Sequence, residues 1–335
     1  MTTISKSDTL GRPSAQPWAK ITAAVQRQGA LIALILLIVF GALRYDGFLG
    51  AYNISEFLRY NSMFGFISLG MTFVIMTGGI DLSVGAVAAL ASVLAAYLTP
   101  YGFWPAVIGP IVAGVLIGLF NGWVIAHLRI APFIATLAML LGARGAALIM
   151  TTTSISIDPS YGFDKINSGS LFGVPTPVII WVAAFIIGSI VLNYTGFGRY
   201  TLALGGNEEA TRLMGLPADR IKMGVYAMSG GLSALAGVIL AARTFTGLPT
   251  EGLGWELSAI AAVVVGGTLL TGGMGSVGAT LVGVILLGLI FNILNFENGY
   301  GLFSLSAYWQ SVIRGAFLLI VIILQNRLIR RQEIS

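Results

Sequence analysis

Side chains that could carry covalent or ionic chemistry are scarce in this sequence. It has one histidine, His127, and no cysteine. The lack of cysteine excludes a thiol nucleophile, a disulfide framework, Cys-ligated zinc and an iron–sulfur cluster, and it leaves the redox compartment unread. His127 ends an apolar run two residues before Arg129, the place of an interfacial side chain rather than of a metal ligand or proton carrier. Asp81 is the only acid between residues 57 and 157. An acid at membrane depth is a functional candidate by default. Asp81 falls at a helix end, however, which favours capping or contact with a partner chain over contact with a solute. No G-x-x-x-x-G-K-[ST] segment occurs, nor even a Gly-Lys pair, so no loop here cradles a nucleotide phosphate. The chain reads as a non-enzyme with no cofactor of its own.

Glycine carries the next signal. Residues 77–86 read TGGIDLSVGA and residues 271–279 read TGGMGSVGA, one motif with a single deletion. Each copy follows one apolar run and opens another. Gly78 and Gly79 with Asp81, and Gly272 with Gly273, therefore mark breaks, because glycine takes backbone angles that other residues reach only at a cost. Helix ends freed at such breaks turn partial charges toward a polar solute, and paired breaks in two halves of a membrane protein point to a transport pathway. A pair of ordinary tight interhelical turns would leave the same pattern. Span counting puts both junctions on the cytoplasmic side and favours a parallel repeat; an offset of five spans would make it inverted, and a re-entrant segment would change the count. Gly114, Gly118 and Gly122, four residues apart, and Gly283 with Ala279 are instead small-residue stripes for close helix approach.

These residues need a scaffold, and composition says which. Of 335 residues, 56% are hydrophobic and 9% charged, with 44 glycines and a formal net charge of +5. A soluble domain carries about 25% charged residues, so a soluble two-domain enzyme is excluded, and the hydrophobicity excludes disorder. A crossing helix takes about 20 mostly apolar residues. Ten runs qualify, near residues 29–43, 60–77, 83–99, 104–127, 132–150, 175–194, 223–242, 255–270, 277–295 and 308–325. The expected fold is all-α: a polytopic transmembrane helix bundle of about 10 spans with an internal repeat and both termini cytoplasmic. Residues 1–28 form a cytoplasmic segment, 29–325 the transmembrane domain and 326–335 a cytoplasmic tail. The first run reads as a signal anchor, since a long segment precedes it and Gly41-Ala42-Leu43-Arg44 is a poor cleavage site.

Orientation follows the basic residues. Of 18, twelve fall inside: Lys6, Arg12, Lys20, Arg27, Arg129, Arg199, Arg212, Arg220, Lys222, Arg327, Arg330 and Arg331. Arg44, Arg59, Lys165 and Arg243 fall outside, and Arg144 and Arg314 within or near spans, where snorkelling or a buried partner explains each as well as a gate. The positive charge is a topology signal, not a nucleic-acid footprint.

The longest basic inner loop, about 195–222, contains TGFGRYTLALGGNEEATRLMG at 195–215. Asn207 before Glu208 and Glu209 is an N-cap with acids in the first turn, and Gly215 with Pro217 supplies a stop. A helix of about two turns is expected there.

Together with GMTFVIMTGGIDLSVGA (70–86) and AIAAVVVGGTLLTGGMGSVGA (259–279), this segment resembles the permease subunits of binding-protein-dependent ABC sugar importers, the ribose, galactose and xylose class. The resemblance runs from about residue 50 to 325. It implies carbohydrate import across a bacterial inner (cytoplasmic) membrane, with membrane lipid around a multi-pass chain. It also implies a second permease, like or unlike, a periplasmic sugar-binding protein, and an ABC ATPase subunit that carries ATP and magnesium. Gly205, Gly206, Asn207, Glu208, Glu209, Ala210 and Gly215 would be the ATPase-coupling segment. The family's loop motif, G-x-N-x-x-A-x-x-x-G, is matched by Gly205, Asn207, Ala210 and, one residue late, Gly215.

A sugar site needs amides or hydroxyls beside aromatic faces. Candidates are Phe64, Asn121, Phe133, Thr136, Asn292, Asn295 and Trp309, each taken singly better explained by packing or a helix–helix hydrogen bond. Outer acids Glu251, Glu256 and Glu297 could meet a binding protein or simply be solvated. The alternatives are a branched-chain amino acid ABC permease and an ion-coupled secondary transporter; the latter needs intramembrane acids, of which Asp81 is a thin supply.

Overall fold

The computed structural model describes residues 17–300 and, beyond them, 309, 312, 313, 315, 316 and 319. The tails 1–16 and 326–335, Arg314 and most of the tenth apolar run lie outside the described residues. The first half of the chain contributes α1 (Pro17–Arg44), α2 (Ala51–Met76), α3 (Val84–Leu98), α4 (Phe103–His127) and α5 (Pro132–Met150). A connecting region follows, with β1 (Ile155–Ser156), α6 (Lys165–Ser168), β2 (Ser170–Leu171) and β3 (Val174–Pro175). Then come α7 (Thr176–Tyr194), α8 (Gly196–Gly206), α9 (Glu208–Leu213) and α10 (Ala218–Thr244), and last β4 (Thr246–Gly247), α11 (Trp255–Val265) and α12 (Val277–Tyr300). The strands form two antiparallel pairs, β1 with β4 and β2 with β3, at the same end of the bundle as the N-terminus of α2.

Among the described residues, six helical stretches are long and apolar enough to cross a membrane: Val84–Tyr101, Phe103–His127, Pro132–Met150, Thr176–Tyr194, Ala218–Thr244 and Val277–Asn298. The outward faces of α4, α5 and α7 are apolar too, as at Leu116, Leu141 and Ile187. An apolar exterior over an apolar interior is the pattern of a helix bundle solvated by lipid. The protein is a multi-pass membrane protein.

Glycine sets where several elements stop. Gly78 N donates to Ile75 O and Gly79 N to Val74 O, with φ of 77° at Gly78. This is a Schellman cap, in which a left-handed residue satisfies the last carbonyls of a helix. The same device ends α9, where Gly215 N donates to Arg212 O and Leu216 N to Thr211 O. It also ends α11, where Gly267 N donates to Val264 O and Thr268 N to Val263 O. That cap stops α11 at Val265, five residues short of the expected 255–270 run.

Hydrophobic transfer gives helices little reason to associate in lipid, since lipid tails are as apolar as leucine. Close approach must supply the contact energy instead. Helix α10 lies at the centre, against α2, α3 and α4. On α4, a Cβ at Gly114 would come within 2.5 Å of Ala234 Cβ, one at Gly118 would collide with the Tyr226 carbonyl, and one at Gly122 would reach 2.6 Å from Met223 Cα. The stripe of small residues thus seats α4 backbone on α10 backbone. Gly283 of α12 meets the Ala262 carbonyl of α11 in the same way.

Candidate functional site

One end of the bundle gathers three glycine segments that are remote in sequence. Gly273 N donates to Met76 O at 2.9 Å, joining the second copy of the repeated motif to the last residue of α2, immediately before the first copy. A Cβ at Gly272 would lie 2.7 Å from Gly78 N and 3.1 Å from Gly205 O. A Cβ at Gly205 would strike Met76 O and lie 2.5 Å from Gly273 N, and one at Gly273 would lie 3.0 Å from Gly206 Cα. The C-terminus of α8 is therefore wedged, backbone on backbone, between the loop after α2 and the loop before α12. Both loops sit at the same end, as the parallel relation requires. Their roles differ, though: Gly78 caps α2, whereas Gly272 and Gly273, with φ of 84° and 78°, form a turn after α11 has already ended.

The first loop is pinned on every side. Asp81 is 1% exposed. Its Oδ1 accepts from Ser83 N at 3.0 Å and Ser83 Oγ at 2.6 Å, and its Oδ2 accepts from Ser229 Oγ of α10 at 2.8 Å. Asn121 Nδ2 of α4 donates to Ser83 Oγ at 3.2 Å. Leu82 N donates to Thr136 Oγ1 of α5 at 3.1 Å. Asp81 is thus an internal tie across the start of α3, in keeping with the capping half of the expectation. Asn121 and Thr136 serve the same loop.

The expected capped helix is α9, six residues long, and the expected N-cap forms: Ala210 N donates to Asn207 Oδ1 at 2.9 Å. Glu208 accepts from Lys222 Nζ of α10 at 2.7 and 2.8 Å and from Arg212 Nη2 at 3.0 Å, and Arg212 Nη2 also donates to Asp219 Oδ1 at 2.5 Å. Partial burial works to raise Glu208, but the Lys222 and Arg212 hydrogen bonds outweigh it and hold the carboxyl below its ordinary range. The hydrogen bonds that Arg212 donates to Asp219 and Glu208 raise the guanidinium further. Glu209 is left exposed, and beyond it Leu213 and Met214 are 84% and 66% exposed, an apolar knob facing outward. Preceding all this is α8, an element the sequence reading did not single out. His127, beside this face, has its Nδ1 3.3 Å from Trp123 O.

The opposite half holds a cavity of about 420 Å³ between α2, α11, α12 and the end of α10. Phe64, Asn292 and Asn295 line it, together with Asn53, Glu56, Asn61 and Arg243. Asn53 and Asn292 exchange amide hydrogen bonds at 3.2 and 2.9 Å, joining α2 to α12. The Phe64 ring rests 5.0 Å from that of Trp255. Ser68 lies deepest on α2, and below it Leu69, Met71, Phe73, Val74, Ile75 and Met76 are all buried. The cavity therefore ends in solid core before reaching the glycine segments. Phe133 and Trp309 are exposed and do not border it. Arg144 reaches the far-end loop, donating to Pro249 O at 2.6 Å and Glu251 O at 2.5 Å. Glu297 is engaged by Tyr45 Oη at 2.5 Å and by Arg44, so of the three outer acids it is already committed within the chain. Among the described residues no group of three or more His, Asp or Glu gathers to hold a metal.

A family model described as branched-chain amino acid transport system / permease component matches residues 53–322. The chain is 41% identical over 313 residues to the ribose import permease protein RbsC of Bacillus subtilis (strain 168), covering 90% of this chain and 94% of that one. It is 38% identical over 310 residues to RbsC of Escherichia coli (strain K12), covering 90% and 94%. It is 36% identical over 297 residues to the L-arabinose transport system permease protein AraH of the same strain, covering 88% and 89%. No solved structure matches the chain.

Proposed function

The chain belongs to the branched-chain amino acid transport system / permease component family, and from that premise we propose that it is the membrane-spanning permease subunit of an ABC importer for a monosaccharide. Its nearness to ribose and arabinose permeases over nine-tenths of its length favours a sugar over an amino acid. ATP hydrolysis belongs to a separate subunit, a periplasmic binding protein delivers the sugar, and the membrane is the bacterial inner membrane. A second permease, the same or different, completes the translocator. The remainder of a bundle of about ten spans, with both termini in the cytoplasm, is part of this reading.

The observation that carries the mechanism is the wedge of Gly205 and Gly206 between the two motif loops. With the α9 end cytoplasmic, the Leu213–Met214 knob offers the ATPase a handle. A push on α9 reaches α10 through Glu208–Lys222 and reaches the motif loops through α8. The Asp81 tie and its neighbours then carry it to α4, α5 and α10. The core below Ser68 closes the path to the cytoplasm while the cavity waits above. Moving a two-state gate from mostly closed to mostly open takes about 5.5 kcal/mol of differential binding. Contacts within the node are present before any ligand binds, and a shift needs differential binding to the two states, so the ATPase must supply it.

Copurification from the source organism and uptake in vesicles test the reading. An associated ATPase and vanadate-sensitive sugar uptake that survives a protonophore in the presence of ATP are expected. Uptake that collapses with the proton gradient while ATP is present would place the protein among ion-coupled transporters.

A further inference from the structure

Among the described residues one cation lines the cavity, and its surroundings are unusual. Arg243, in the last turn of α10, donates through Nη2 to Glu56 Oε2 at 3.3 Å. Its guanidinium carbon lies 5.1 Å from the centre of the Tyr60 ring. Its Nη1 is buried and has no hydrogen-bond partner. Deeper in the same cavity, Ser68 Oγ is also buried without a partner, on a residue that is 0% exposed. A buried donor left unpaired costs about 1–3 kcal/mol, so two such groups bordering one cavity favour an occupant that offers them oxygen atoms. Phe64, backed by Trp255, gives that occupant an apolar face, and the amides of Asn53 and Asn292 give it both donors and acceptors.

Charge then narrows the class. Glu56 lies 3.3 Å from Arg243 and 3.8 Å from Arg59, which is outside the cavity lining, so at the cavity wall Arg243 faces an opposite charge that it shares with Arg59. We propose that Arg243 is a substrate-contacting specificity residue, whose Nη1 donates to a hydroxyl oxygen of a neutral polyhydroxylated solute in transit, and that Glu56 rejects sugar acids by engaging the guanidinium. A carboxylate entering this cavity would have to displace Glu56 or sit beside it, and like charges at close range repel. Without Glu56, the same guanidinium becomes a free fork for a carboxylate. This inference rests on the sugar-importer reading and names the chemistry of its transit site.

The test uses the permease–ATPase complex in lipid nanodiscs, without binding protein, titrated with ribose and with ribonate, its C1 carboxylate, and read as a shift in melting temperature. Ribose should give a saturable shift and ribonate a midpoint at least tenfold weaker. Glu56→Gln should tighten ribonate at least tenfold and leave ribose within threefold. Arg243→Gln should weaken ribose at least tenfold, with Arg243→Lys between. An unchanged ribose-to-ribonate ratio in Glu56→Gln overturns the proposal, since a merely structural pair would alter both ligands together. So does a wild-type complex that imports ribose with its binding protein and ATP yet shows no saturable shift. If instead the wild-type complex imports no sugar in that assay, the importer reading itself fails, and this inference falls with it.

Discussion

At the scale of single residues, the sharpest contrast lies between two neighbouring glycines. A Cβ at Gly205 meets the Met76 carbonyl, whereas one at Gly206 meets nothing within 4 Å. Gly205→Ala should therefore cut sugar uptake at least tenfold at unchanged membrane level, and Gly206→Ala should leave it within twofold; transport in vesicles, normalised to the protein present, measures both. Bulky charged residues across 206–210 should abolish uptake while insertion persists. The residues themselves were legible in uneven degree. Phe64, Asn292 and Asn295 stand out in apolar runs because amides and rings are what a sugar needs, and all three line the cavity. Arg243, Glu56 and Asn53 did not stand out, because charges and amides at helix ends read first as topology signals. Asn121 and Thr136 were sought as solute contacts yet bond the loop around Ser83. That partnership spans about 40 to 50 residues of chain, and no local pattern announces it.

At the scale of elements, helix positions were written in apolar runs, since lipid demands an apolar stretch of definite length. The exceptions have reasons. Helix α8 is rich in glycine, which disfavours helix by about 1 kcal/mol per residue relative to alanine; tertiary contacts at Thr201, Leu204 and Gly205 hold it. Helix α11 stops early because a second glycine pair precedes the motif. The fastening of α9 to α10 depends on pH with a definite sign. Glu208 is depressed in the folded chain, so its contribution is present above its unfolded value, about 4.3, and fades as pH falls through the lower folded value. Hydrogen exchange along α9 should be flat from pH 8 to 5 after correction for intrinsic rates and should quicken below about 4; Glu208→Gln should quicken it throughout. On the lipid-facing side, Gly142→Ala and Gly145→Ala meet open space and should be tolerated. Gly118→Leu overfills the α4–α10 contact and should lower the melting temperature by an amount equivalent to 1–3 kcal/mol or more, roughly the cost of overpacking.

At the scale of the whole molecule, the two ends divide the work: a rigid glycine node faces one side, and a polar cavity sealed by core faces the other. Charge counting gives an expectation of sidedness and says nothing of the seal, because burial below Ser68 depends on how α2 is surrounded. Since the chain has no cysteine, Asn53→Cys with Asn292→Cys introduces the only possible intramolecular disulfide. Oxidation should tie α2 to α12 across the cavity and stop uptake, and reductant should restore it; uptake indifferent to oxidation, with the crosslink verified on a gel, would mean that the α2–α12 distance stays fixed during transport.

The hydrogen bond from Gly273 to Met76 also has a consequence for biogenesis. Its partners are 197 residues apart in the chain. At 5–20 residues per second of synthesis, the carbonyl of Met76 waits about 10 to 40 seconds for its donor to be made. Until then α2 and α8 have been made while the 271–273 wall of the node is still missing. The node is thus completed late, and a ribosome-bound chain halted before residue 273 should leave the 77–83 loop open to protease, whereas one halted well beyond it should not.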